Sequence, residues 1–191
     1  MNHDNKAANN GQLITDAPVK PEVFVQLYRR YYDSVFRYCV HRLFERETAK
    51  DITSEVFLKV VENLGSFKGN ERQFRNWLYK IATNAVNDYF RKTARRSGIL
   101  KAVCEQANNR AANCPDTRDE STKKLALLRE AVFALKPRYQ TIITLRFFEN
   151  LKLTEIAEVL ASRQGTVRSQ LVRALAKLRK ILVTEFTDYT D

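Results

Sequence analysis

A chain of 191 residues with 44% hydrophobic content is long and apolar enough to bury one core or two small ones, which excludes wholesale disorder. With 33 Lys and Arg against 22 Asp and Glu, the net charge of +11 suits a polyanionic partner, either nucleic acid or an acidic membrane surface. No apolar run is long enough to span a bilayer, and the first residues lack the charged-then-apolar order of a secretory signal, so a cytoplasmic location without membrane insertion is expected.

Only 5 glycines and 4 prolines lean towards an all-α protein. Residues 1–20 are polar and aperiodic, and read as a disordered arm. From Pro21 to about Phe44, Phe24, Leu27, Tyr28, Tyr31, Val35, Tyr38 and Leu43 recur at helical steps. Cys39 and His41 lie two apart on this helix, which predicts a buried thiol beside a surface imidazole. The other thiols, Cys104 and Cys114, form no close pair with it, so neither a disulfide framework nor a metal site is expected.

A second helix is predicted from Thr48, with Thr48 and Asp51 at capping-box spacing. Ile52, Val56, Phe57 and Val60 face its core side, while Asp51, Glu55 and Glu62 form an acidic stripe. That stripe is either a solvated face or a surface for a basic protein. The segment Leu64–Asn70 holds two glycines and reads as a loop, and Asn70 with Gln73 is placed to cap a third helix over residues 71–93. One flank of that helix carries Lys80, Asn84, Asn87 and Arg91, with Tyr79, Thr83 and Phe90 beside them. Cations interleaved with aromatics and amides can hold a single nucleic-acid strand. A two-sided packing helix with a solvated basic end is the equal alternative by composition.

Periodicity is lost over residues 97–120, a mixed-charge linker in which Ile99 to Ala107 has room for a helical turn or two. It resumes with Leu125, Leu128, Val132 and Leu135. Pro137 suits the first position of the next helix, which holds Tyr139, Ile142, Ile143, Leu145, Arg146 and Phe147. A short helix capped by Thr154, a break over Ala161–Gly165 and a longer helix from about Thr166 then follow. In the last helix Val167, Leu171, Ala174, Leu175, Leu178, Ile181 and Leu182 share one face, and no acid occurs from Ala161 to Thr184. This is the pattern of a helix-turn-helix whose second helix enters the DNA major groove; an amphipathic hairpin with a basic outer face is the plainer reading. The expected fold class is all-α: two small helical domains, residues 21–96 and 121–187, each with its own apolar set, joined by a flexible linker.

Four stretches in order resemble one family, the bacterial RNA polymerase sigma factors of the small extracytoplasmic-function (ECF) type. They are Ala49–Phe57, Phe74–Asn84, Leu135–Gln140 and Leu153–Leu178 with Gly165-Thr-Val-Arg-Ser169 at its heart. The resemblance implies that the first domain (region 2) docks on a helical coiled coil of the polymerase through Asp51, Ile52, Glu55, Val56 and Lys59. It implies that the third helix and its loop read the melted −10 element, where a flipped base is held in a pocket. Lys68, Asn70, Arg72, Lys80, Asn84, Asn87 and Arg91 are the residues so placed. It further implies that the second domain (region 4) reads the −35 duplex through Thr166, Arg168, Ser169, Val172, Arg173 and Lys177. Partners so implied are core RNA polymerase, promoter DNA and an anti-sigma factor. No Ser/His/Asp set, metal cluster or phosphate loop is visible, and His3 and His41 are the only imidazoles, so an enzyme or a bound cofactor is not expected. Two rival classes are a dimeric helix-turn-helix regulator, which leaves the acidic stripe idle, and a basic protein that coats RNA or acidic lipid without sequence preference.

Overall fold

The computed structural model describes residues 21–103 and 120–187, and every regular element among them is helical. The expected arm, Cys104, Cys114 and most of the expected linker lie outside the described residues.

Helix α1 spans Pro21–Leu43. Its predicted stripe is largely inside: Leu27, Tyr31, Val35, Tyr38 and Leu43 are buried, while Phe24 and Tyr28 are half-buried. Cys39 is buried as expected, and burial pushes its thiol up to about 11. His41 is not a surface residue. It is half-buried, with its ring 4.0 Å from that of Phe148, and burial followed by the Arg37 charge lowers its pKa. Phe44 ends the helix in the left-handed region at φ 57, a conformation that a bulky residue adopts only when packing compensates. Its ring meets the edge of Phe133, and Arg129 Nη2 donates to its carbonyl at 3.1 Å.

Helix α2 runs over Arg46–Leu64, two residues earlier than Thr48 suggested. The Thr48 hydroxyl donates back to the Glu45 carboxylate at 2.6 Å instead of capping a new helix. The loop after α2 ends in the predicted reciprocal cap: Asn70 N donates to Gln73 Oε1 at 2.9 Å, and Gln73 N to Asn70 Oδ1 at 3.0 Å. This opens α3, Glu71–Val103, which runs about ten residues beyond the expected end because residues 94–103 contain no proline and only one glycine to stop the ladder.

The C-terminal half comprises α4 (Glu120–Phe133), α5 (Pro137–Ile143), a π-helical turn over Thr144–Phe148, α6 (Leu153–Val159) and α7 (Gln164–Thr187). Pro137 does open α5. Helix α6 begins one residue before Thr154: Lys152 is the N-cap, and its backbone N–H donates to the Glu155 carboxylate at 2.7 Å. The break turns on Ala161, held at φ 47. Leu175, expected on the apolar face of α7, is 40% exposed.

The apolar sets of the two halves are not separate. Ile142, Leu145, Leu151, Ile156, Val159 and Val167 join the same buried cluster as Val35, Val56, Phe74 and Val86. A smaller cluster of Val132, Leu135, Tyr139, Ile143 and Ala174 holds α4, α5 and α7 together. Each fully buried Leu or Ile contributes about 1.5–3 kcal/mol, so the shared layer makes a substantial seam.

Candidate polymerase and nucleic-acid interfaces

Helix α2 turns Ile52 and Val56 into the core, at 7% and 0% exposure. Their side chains are therefore not displayed on the surface of α2, unlike the other members of the expected docking set. Helical geometry explains the result: they share the inner stripe with Val60, also buried, whereas Asp51 is exposed and Glu55 half-exposed. Lys59 is ion-paired to Glu55 at 2.6 Å. On the outer stripe the structure adds two residues that sequence reasoning passed over, Leu58 at 64% and Val61 at 52% exposure. Their signal was available: they stand seven and ten residues after Asp51, on the same face.

On α3, Lys80, Asn84, Asn87 and Arg91 are exposed along one flank, spaced by four, three and four residues. Lys68, Asn70 and Arg72 are exposed at the loop that precedes them, though the backbone and side chain of Asn70 are engaged in the cap. Phe67 packs its ring on Phe74 and Trp77, which fixes the loop against the helix. A Cβ at Gly69 would come within 2.9 Å of both Phe67 and Gln73, so the tight loop requires glycine there. Arg91 pairs with Asp88 at 2.8 Å. The expected neighbours Tyr79 and Thr83 are turned inward, and the Thr83 hydroxyl bonds that of Tyr38 at 2.8 Å. Only Phe90, half-buried, remains beside the flank.

The next face of α3 is engaged by carboxylates from the C-terminal half. Arg75 Nη2 pairs with Glu155 at 2.6 Å, Asn76 Nδ2 donates to Glu158 at 2.7 Å, and the Tyr79 hydroxyl donates to Glu149. Burial raises the Glu149 carboxyl, and the Tyr79 hydrogen bond and the Arg37 and Arg75 charges only partly oppose this. Burial pushes Glu155 the same way, but the Lys152 amide and the Arg75 guanidinium outweigh it and hold the carboxyl below its usual range. Neither half of this seam was legible as such in the sequence.

Helix α7 presents the basic face that its pattern predicted. Thr166, Arg168, Ser169, Arg173 and Lys177 are all exposed, and Val172 is 62% exposed. Val167 and Ala174 anchor the opposite side in the core. The Ser169 hydroxyl donates to the Gly165 carbonyl at 2.7 Å. An Arg on such a helix can pair bidentately with guanine, whereas a Lys at its edge meets phosphate.

Comparisons with known proteins fall on the same two blocks. The Sigma-70 region 2 model matches residues 27–96, and the Sigma-70, region 4 model matches residues 131–180. The ECF RNA polymerase sigma factor BldN of Streptomyces coelicolor is 33% identical over 180 residues, 94% of this chain and 68% of that protein. Two solved structures share the fold: CnrH in complex with the cytosolic domain of CnrY, with a TM-score of 0.69, 20% identity and coverage of 92% and 97%, and the sigma factor RpoE of Bartonella quintana in complex with the anti-sigma factor NepR, with a TM-score of 0.65, 18% identity and coverage of 83% and 96%. Both sigma-70 regions in order, and a relative matched across them, show that this chain belongs to the ECF RNA polymerase sigma factors.

Proposed function

We propose that this sigma factor binds core polymerase through the outer stripe of α2, traps the melted −10 strand on the Lys80–Asn84–Asn87–Arg91 flank of α3, and reads the −35 duplex with α7. The observation that carries this reading is the outward display of two separate basic faces, one on α3 and one on α7, beside an acidic and apolar stripe on α2. Asp51 and Glu55 supply charge for a basic partner helix, and Leu58 and Val61 supply the apolar area that Ile52 and Val56 do not. Stabilising an opened strand shifts the closed-to-open promoter equilibrium by differential affinity, so the chain needs no bond chemistry and acts as a binding factor, not an enzyme.

The seam between the halves bears on mechanism. The two promoter elements are separate sites along the duplex, whereas α3 and the helix-turn-helix touch at hydrogen-bond distance, with carboxylates of the C-terminal half on the face next to the −10 flank. The compact form therefore cannot read both elements at once, and region 4 must leave α3 when the factor engages promoter DNA. An anti-sigma factor that favours the compact form is the corresponding negative partner, working in the cytoplasm. A recess of about 380 Å³ lined by Val40, His41, Phe44, Arg129 and Phe148, with exposed Phe133 against Phe44, offers it an apolar foothold.

The test is run-off transcription with purified bacterial core polymerase on a randomised promoter library. Templates recovered with this protein should share spaced −35 and −10 motifs, and Asn84→Ala should lose opening at the −10 element. No stimulation and no core binding would sink the reading and favour a regulator that binds duplex DNA alone.

A further inference from the structure

Arg42, in the last turn of α1, is fully buried at the seam. Its Nη1 donates to Gln140 Oε1 on α5 at 2.6 Å, and its Nη2 reaches Asn87 Oδ1 on α3 at 3.4 Å. Its guanidinium lies over the Phe90 ring, 5.6 Å from the centroid. Nε has no protein acceptor, and among the described residues no carboxylate pairs with the charge. Gln140 is locked in this orientation, since its Nε2 donates to the carbonyls of Phe133 at 2.7 Å and Leu135 at 2.8 Å. A buried cation met by two amide oxygens and the Tyr38 hydroxyl, with no carboxylate, recovers only part of its lost hydration. Structural economy alone would have placed an apolar residue here.

The surroundings supply a reason for the charge. Asn87 belongs to the exposed flank of α3, and Phe90 borders it. A groove of about 360 Å³ lined by Asn87, Phe90, Arg138, Leu160 and Gln170 runs between α3 and the C-terminal half, so two of the residues that touch Arg42 also border open space along the seam. Once α5 is withdrawn, Arg42 loses Gln140 and keeps Asn87, Phe90 and the Tyr38 hydroxyl of its own helix, and the nitrogen that Gln140 held becomes available next to the strand-binding flank.

We propose that Arg42 is a phosphate-binding residue of the −10 single-strand surface, covered by Gln140 in the compact form and exposed when region 4 leaves α3. The proposal rests on the opening argued above. A guanidinium presents a planar fork of donors suited to phosphate oxygens, and Phe90 backs it in the orientation that faces Asn87. The same group thus disfavours the compact state through its unpaired burial and favours the DNA-bound state through phosphate contact.

The experiment is arginine modification of the full chain with phenylglyoxal, mapped by mass spectrometry, with exposed Arg95 as internal reference. Arg42 should react at least tenfold more slowly than Arg95 in the free protein. It should approach the Arg95 rate in the holoenzyme with core polymerase, and fall back when a non-template oligonucleotide carrying a library-selected −10 sequence is added. Protection that persists in the holoenzyme, or reactivity that survives oligonucleotide binding, overturns the proposal. Variants give a second measure, read as holoenzyme affinity for that oligonucleotide against salt. Arg42→Gln should make the log–log slope shallower by about 0.7, the value of one single-strand phosphate contact, and Arg42→Lys should keep it. An unchanged slope in Arg42→Gln also overturns it. Core binding and motif-dependent run-off by the wild type, measured on the same preparations, report on the sigma-factor reading separately. If those hold while Arg42 behaves as a permanently buried residue, this inference alone fails.

Discussion

The two DNA-reading helices differ in how free they are. All six residues expected to read the −35 element stand exposed on α7, whose opposite face is anchored by Val167 and Ala174. On α3, one flank is exposed, but the adjoining face is held by Glu149, Glu155 and Glu158, and Asn87 is in contact with the covered Arg42. On the proposed reading, the −35 reader is complete in the compact form, whereas the −10 reader is completed only by opening. Control exerted through the seam should therefore act on strand capture before it acts on duplex recognition.

The largest effect that tests this contrast comes from the shared core. Leu151 is fully buried in the cluster common to both halves, so Leu151→Ala should lower unfolding free energy by about 2–5 kcal/mol. A single cooperative transition by calorimetry and by fluorescence is expected in the wild type; two well-separated transitions would show that the halves do not stabilise each other. Next in size, Arg173→Ala should cost about 1–3 kcal/mol of −35 discrimination in holoenzyme binding to duplex probes, with no change on the melted −10 strand. Equal losses on both probes would break the division of labour.

Smaller again, Glu155→Gln should loosen the seam by about 1 kcal/mol, a figure discounted because the Arg75 partner is 37% exposed. Small-angle scattering should record a larger radius of gyration. The pH dependence has a definite sign. The folded-state pKa of Glu155 is depressed, so its contribution is present above the ordinary value of 4.5 and is lost as pH falls through the lower folded value. Glu149 is raised, so its burial becomes less costly as pH falls through its folded value towards 4.5. The wild type should loosen only below about pH 4.5, and Glu155→Gln should lack that step. Smallest of all, Lys177→Ala should weaken duplex binding evenly across sequences and make the salt slope shallower by about 0.9.

Legibility followed the range of the interactions. The Asn70–Gln73 cap was readable because its partners are three residues apart and the hydrogen bonds fall where the pattern placed them. The basic face of α7 was readable because helical periodicity separates it from Val167 and Ala174. The cap of α6 was misplaced by two residues because Thr154 outranks Lys152 as a cap, yet here the Glu155 carboxylate captures the Lys152 amide from within the helix. Ile52 and Val56 carried two roles in the sequence reading, core and docking, and their burial matches the first.

By itself the chain determined its helices, the two basic faces, the acidic stripe and the order of its two sigma regions, because periodicity, caps and motif spacing are local properties. Tertiary structure alone decided that the halves share a core and that α3 is gripped by carboxylates. It alone decided that Arg42 is buried against Gln140. Those contacts join residues 70 to 98 positions apart, and no local pattern encodes which of several basic or acidic side chains will meet across such a distance.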